Sequence, residues 1–163
     1  MRIGVISDTH IPARARLLPS ELFTLFDGVD LVLHAGDLVE ESVLQELAAI
    51  APVEAVAGNM DSWELHNRLG RKKILELAGY RIGLIHGDSG NDRSKTPQRV
   101  LQSFKQDSVD CIIFGHSHQP YHQTIQGILL FNPGSPTDRR RESRHSCGLL
   151  TVGETITAQL LLL

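Results

Sequence analysis

At 163 residues, 41% hydrophobic and 21% charged, the chain has the make-up of an ordinary globular protein able to build its own core, and a single domain over residues 1–163 is expected. A formal charge of −3 and a pI near 6.2 exclude general attraction to nucleic acid or to an anionic membrane, so any phosphate recognition has to be local. Two cysteines, Cys111 and Cys147, are too few for a disulfide framework, and Asp8 cuts the N-terminal apolar stretch too short for an export signal, so the cytoplasm is the expected location.

Along the chain, short β-rich apolar runs alternate with helical patterns over the first two thirds, which predicts βαβ units and a largely parallel sheet. The helices are expected at Pro19 to Phe26, Glu40 to Ile50 and Thr96 to Phe104, the last with Thr96 as cap and Pro97 at its first position. In the second, Val43, Leu44, Leu47 and Ile50 share one face, and Glu40, Glu41 and Glu46 lie outside it. Lys72 to Leu77 and Tyr80 to Ile85 flank Ala78-Gly79 as a hairpin. After His118 the texture changes to Tyr121 to Ile125, Gly127 to Phe131, Cys147 to Val152 and Thr155 to Leu162, all strand-like and read as antiparallel additions. The Leu160 to Leu163 tail is far shorter than the roughly 20 residues of a spanning helix and reads as the end of a buried strand. The expected fold class is α/β, a four-layer α-β-β-α sandwich of two mixed β-sheets flanked by helices.

Five of the apolar runs end in residues that can hold a metal. Arg2 to Ser7 leads to Asp8-Thr9-His10, Leu31 to Ala35 to Gly36-Asp37, Val53 to Ala57 to Gly58-Asn59, Arg81 to Ile85 to His86-Gly87, and Cys111 to Phe114 to Gly115-His116-Ser117-His118. If these runs are neighbouring strands, their carboxyl ends share a rim, the ligand-binding edge of open α/β sheets. Carboxylate, imidazole and amide donors without thiolate suit Mn²⁺, Fe²⁺, Zn²⁺, Ni²⁺ or Co²⁺ rather than Mg²⁺ or Ca²⁺. Seven ligands exceed the three or four of a mononuclear site, which predicts two ions with Asp37 bridging. Two ions ~3.5–4 Å apart can hold a hydroxide in line with phosphorus, so phosphoester hydrolysis is the expected chemistry.

This ordered set, Asp8-x-His10, Gly36-Asp37, Gly58-Asn59, His86-Gly87 and Gly115-His116-x-His118, resembles the calcineurin-like metallophosphoesterase superfamily. The short chain and Asn132-Pro133-Gly134-Ser135 are similar to its small YfcE-type phosphodiesterases. The resemblance implies that Asp8, His10 and His118 bind one ion and Asn59, His86 and His116 the other, with Asp37 bridging, and that Asp37, Asn59 and His86 stand closest to catalysis. It implies two divalent transition-metal ions, manganese first; and because the chain has few residues left to build a lid, an open site taking small or varied phosphodiesters, cyclic or linear nucleotides among them, is expected. Many members follow the motif asparagine with a histidine that protonates the leaving group; here that position is Met60, and a thioether donates no proton. The alternative is a metal-binding scaffold similar to the retromer small subunit.

Other residues have plainer readings. His34 reads as a packed histidine that can orient Asp37. Asp61 and Glu64 have capping-box spacing, so Asp61 reads as a helix start, and Trp63 as packing. His66, His122 and His145 read as solvated. The run from Arg139 to Arg144 reads as a solvated loop or a contact between copies ahead of a phosphate grip, and such a contact or an open sheet edge would make a homodimer.

Overall fold

A computed structural model describes residues 1–163. Ten strands form two five-stranded sheets. The first has the order β10-β9-β1-β2-β3, from Ile156–Leu162, Ser146–Val152, Arg2–Ile6, Leu31–His34 and Val53–Ala55. The second has the order β4-β5-β6-β8-β7, from Lys72–Leu77, Tyr80–Ile85, Cys111–Ile113, Ile128–Asn132 and Tyr121–Ile125. Both are mixed. β1, β2 and β3 run parallel, as do β5, β6 and β8, while β9, β10, β4 and β7 pair antiparallel.

The helices are α1 (Ser20–Leu25), α2 (Ser42–Ala48), α3 (Trp63–Leu69) and α4 (Thr96–Ser103). Apolar pairs four residues apart decide where they dock: Leu22 and Phe26, Val43 and Leu47, and Leu65 and Leu69 all join one core against the first sheet. Val100 and Phe104 pack instead on Ile112, Phe114 and Leu130 of the second sheet's flank. Between the sheets lies a third core, with Ile3 and Val5 of β1 and Leu31 and Leu33 of β2 facing Ile82, Leu84, Ile113 and Phe131. Three separate cores stack helix, sheet, sheet and helix, which is the expected four-layer sandwich.

Two strand glycines make the helix docking close. A Cβ on Gly4 would stand 2.7 Å from the ring of Phe26, and one on Gly83 2.7 Å from that of Phe104, so each sheet receives a phenylalanine in a notch of bare backbone. The hairpin turns at Ala78 and Gly79 as the sequence predicts, with φ of 49° and 86°. Cys111 and Cys147 are both free and buried, and burial pushes the Cys147 thiol up to about 12. No helix is long and apolar enough to cross a membrane.

Five expectations need correction. The Gly127 to Phe131 stretch is not simply an antiparallel addition, because β8 lies between β6 and β7 and runs parallel to the first and antiparallel to the second. Thr96 is the first residue of α4 rather than its cap, which is Lys95 and makes no side-chain capping bond. β10 is an edge strand with alternating half-exposed residues and Leu162 52% exposed, because β9 occupies the place beside β1 and leaves β10 a single neighbour. The α3 cap is Ser62, whose hydroxyl accepts from the Leu65 N–H at 3.3 Å; Asp61 is used elsewhere. Trp63 is not a core residue, being 74% exposed at the first turn of α3, where the buried face is set by Leu65 and Leu69.

Candidate metal centre

The parallel strands of both sheets end on one rim, and the backbone there turns sharply. Asp8, His10, Asp37, His116 and His118 all have positive φ, between 45° and 69°, in a region that non-glycine residues rarely occupy. Five such residues in one place, each followed or preceded by chemistry-bearing groups, mark a site held against local backbone preference. Two glycines let the loops close on it. A Cβ on Gly58 would collide with Asp37 Oδ1, and one on Gly115 would stand 2.7 Å from Asp8 Oδ2.

Two overlapping triads of potential ligands result, Asp8 with His10 and His118, and Asp8 with Asp37 and His86, all buried. Asp8 Oδ2 accepts from the His116 N–H at 3.0 Å, which leaves Oδ1 pointing inward, 3.3 Å from His118 Nε2 and 3.9 Å from both His10 Nε2 and His86 Nε2. Asp37 is arranged alike. Its Oδ1 accepts from the Met60 N–H at 2.8 Å, and its Oδ2 lies 3.2 Å from His86 Nε2 and 3.6 Å from His10 Nε2. Asp37 therefore faces one imidazole of each ion's expected set.

The imidazoles are fixed from behind. His86 Nδ1–H donates to the Ala35 carbonyl at 2.8 Å and His118 Nδ1–H to the Asp138 carbonyl at 2.7 Å, so both rings turn Nε2 toward the carboxylates. His10 and His118 stack with their Nε2 atoms 3.3 Å apart. Asp8 Oδ1 and His86 Nε2 are buried without any hydrogen-bond partner. Unpaired polar atoms at that depth cost about 1–3 kcal/mol each, and a cation satisfies both kinds at once. The donor set of oxygens and imidazole nitrogens fits a divalent transition metal.

Asn59 and His116 stand apart from the triads. His116 meets His86 edge to face at 5.3 Å, and Asn59 is exposed; both line a cleft of about 850 Å³ beside the buried cluster. His34 is not a ligand, since its Nδ1 accepts from the Gly36 N–H at 3.1 Å and its Nε2 contacts Thr9 Oγ1 at 3.1 Å. It props the loop carrying Asp37 rather than the carboxylate itself, and burial lowers its imidazole to about 3, keeping it neutral. His66, His122 and His145 do not line the cleft.

Sequence reading missed the support. Asp61 accepts three backbone N–H groups, from Asp37 at 2.9 Å, Gly58 at 2.7 Å and Val39 at 2.6 Å, and so ties the Asp37 and Asn59 loops together. Val39 is a β-branched residue at φ 77°, a conformation that this bond holds. Asn132 donates to the Gly115 carbonyl and to Ser117 Oγ and accepts from the Gly134 N–H, while Ser135 Oγ donates to the Asp8 carbonyl. Asn132 to Ser135 is thus a brace behind Asp8 and the His116-His118 loop, where its composition alone reads as a turn.

Protonation follows from this packing. Burial raises Asp8 to about 7. Burial would lower His86, but the carboxylates of Asp37, 3.2 Å away, and Asp8 outweigh it and hold the imidazole at about 9. Burial also acts to raise Asp37, and the close approach and charge of His86 reverse this to about 2. The metal-free cluster thus carries a proton on His86 at neutral pH, and a ligating His86 has to release it. Calorimetry of Mn²⁺ binding in buffers of different ionisation enthalpy is expected to register at least one proton released per chain, with affinity rising from about pH 7 to about pH 9. Metal binding with no proton release would remove His86 from the ligand set.

Known proteins resemble this chain along nearly its whole length. The calcineurin-like phosphoesterase superfamily domain matches residues 1–155. A "Probable metallophosphoesterase" of Methanothermobacter thermautotrophicus is 41% identical over 161 residues, covering 99% of this chain and 92% of that one. A phosphodiesterase of Methanocaldococcus jannaschii is 28% identical over 171 residues, covering 96% and 90% of the two chains. In fold the chain is similar to Vps29 of Chaetomium thermophilum, at 22% identity and a TM-score of 0.82 over 100% of this chain and 97% of the other. By motif order, by the rim on which its carboxylates and imidazoles meet, and by these matches, the chain belongs to the calcineurin-like phosphoesterase superfamily.

Proposed function

We propose that this protein is a divalent-metal-dependent phosphoesterase that prefers phosphodiesters to monoesters and works with two transition-metal ions, manganese foremost. Asp8, His10 and His118 would hold the first ion, Asn59, His86 and His116 the second, and Asp37 would serve both. The observation that carries the reading is the pair of buried, unpartnered atoms, Asp8 Oδ1 and His86 Nε2, turned toward the inward oxygen of Asp37. When bound, the ions would supply a nucleophile from water near neutral pH and offset charge on the phosphoryl oxygens. The chain's own part is to hold the ligands rigid: the Ala35 and Asp138 carbonyls set the His86 and His118 rings, and Asp61 fixes the loop that presents Asp37.

Leaving-group protonation is the weak step. Met60 is 56% exposed beside Asn59, and no histidine other than His116 lines the cleft. Substrates with good leaving groups should therefore be favoured. Met60→His is expected to raise kcat on esters of basic alcohols roughly tenfold or more, short of the full 10²–10⁴ of an optimised general acid, and to change p-nitrophenyl esters little. Equal effects on both classes would mean that position 60 does not face the departing oxygen.

The reading is tested by hydrolysis of bis-p-nitrophenyl phosphate beside p-nitrophenyl phosphate, using chelator-stripped protein with Mn²⁺, Ni²⁺, Zn²⁺, Co²⁺ or Mg²⁺ restored singly. Metal-dependent cleavage, faster on the diester, is expected. Tight metal binding without turnover of either ester would favour the scaffold reading instead.

A further inference from the structure

The cleft beside the cluster has an unusual lining. None of its residues is hydrophobic, and four are arginines: Arg93 from the loop after β5, and Arg139, Arg140 and Arg141 from the loop before β9. Small-molecule sites are ordinarily walled by apolar and aromatic side chains that cover the ligand's body. Met60 and Trp63, the exposed apolar residues of the neighbouring segment, do not line this one. Affinity here has to come from charge and hydrogen bonds.

Neutralisation within the cleft is incomplete. Its two carboxylates are engaged: Asp88 pairs with Arg71, and Asp92 accepts from the Ser94 N–H and hydroxyl and lies 3.8 Å from Lys95. Arg140 sits 3.6 Å from Asp138, and Arg139 donates to the Glu142 carbonyl. Arg93 and Arg141 make no ion pair and no side-chain hydrogen bond. Two exposed guanidiniums from separate loops thus remain free on the wall that also carries Asn59 and His116. A chain of net charge −3 shows no general basicity, so this is a local concentration of positive charge.

We propose that Arg93 and Arg141, aided by Arg139 and Arg140, form a subsite for a second anionic group of the substrate, so that the preferred substrates are phosphodiesters carrying a further phosphate. Guanidinium forks bind phosphate oxygens in bidentate fashion, and two loops closing on one anion would order both. The inference rests on the phosphodiesterase reading of the adjoining cluster, and it concerns which diesters are chosen.

The test compares the p-nitrophenyl ester of thymidine 5′-phosphate with the same ester bearing a 3′-phosphate, on Mn²⁺-loaded protein. KM is expected to be roughly tenfold lower for the 3′-phosphorylated ester, an advantage that shrinks as salt screens the arginines. In Arg93→Ala/Arg141→Ala protein the ratio of the two KM values should approach one, and Arg93→Lys/Arg141→Lys should restore part of it. Calorimetric binding of thymidine 3′,5′-bisphosphate against thymidine 5′-monophosphate provides a readout independent of turnover. Turnover of both esters with equal KM would overturn the subsite and leave the hydrolase standing. If neither ester is cleaved, the hydrolase reading fails, and equal calorimetric affinities for the two nucleotides would then overturn the subsite as well.

Discussion

Asp37→Asn protein is expected to fold normally, to lose measurable phosphodiester turnover and to bind Mn²⁺ at least a hundredfold more weakly. The amide preserves size and can still accept from the Met60 N–H, the 2.8 Å bond that seats this side chain. It loses the charge, and it turns an NH₂ group toward His86 Nε2 and His10 Nε2, which stand 3.2 Å and 3.6 Å from the native Oδ2. Removing a partner that merely orients a ligand costs roughly 10–100-fold in metal affinity. A shared ligand should cost more, on both ions. Thermal unfolding of the metal-free variant beside the wild type separates loss of the site from loss of the fold. Retained turnover would discard the placement of Asp37 between the ions.

Asp61→Ala should be the most damaging substitution outside the ligands. It strips the acceptor from the backbone N–H groups of Asp37, Gly58 and Val39 together. Each buried donor left without a partner costs about 1–3 kcal/mol, so a loss of ~3 kcal/mol or more is expected in urea unfolding of the metal-free protein. A helix cap would cost only ~1 kcal/mol, and Ser62 already fills that role on α3. The magnitude therefore decides between the two readings of Asp61. Asp61→Asn, which keeps one acceptor oxygen, should fall between wild type and alanine and should weaken Mn²⁺ binding by releasing the Asp37 loop. A loss near 1 kcal/mol with unaltered metal affinity would return Asp61 to a capping role.

What could be read from the sequence was local. Apolar runs of four or five residues ending in Asp8, Asp37, Asn59, His86 and His116 are short enough to be strands and too abruptly polar to continue. Pairs such as Val43 and Leu47 or Val100 and Phe104 disclose a helix face without knowledge of the partner sheet. The brace was hidden because its bonds join distant segments. Asp61 reaches an N–H 24 residues away, and Ser135 one carbonyl 127 residues away, so neither pattern appears in a window of sequence. The local alternatives, a cap and a turn, were the simpler readings.

Strand order was hidden for a similar reason. Nothing in the alternating Thr155 to Leu162 stretch says whether it has one neighbour or two; the insertion of β9 beside β1 decides that, and it makes β10 an edge. Trp63 has the composition of a core residue, yet the phase of α3 is set by Leu65 and Leu69, which turns the indole to solvent. The arginine loop reads as solvated from its composition, and its place on the wall of the cleft depends on where β8 and β9 bring its ends.

Titration of turnover against Mn²⁺ added to chelator-stripped protein, with bis-p-nitrophenyl phosphate as substrate, tests the central claim most directly. Activity that is absent at the start, rises with added metal and saturates at two ions per chain is the predicted result. Turnover that persists without metal, or a chain that holds two ions and leaves the ester intact, would contradict the reading of this buried cluster as a two-ion hydrolytic centre.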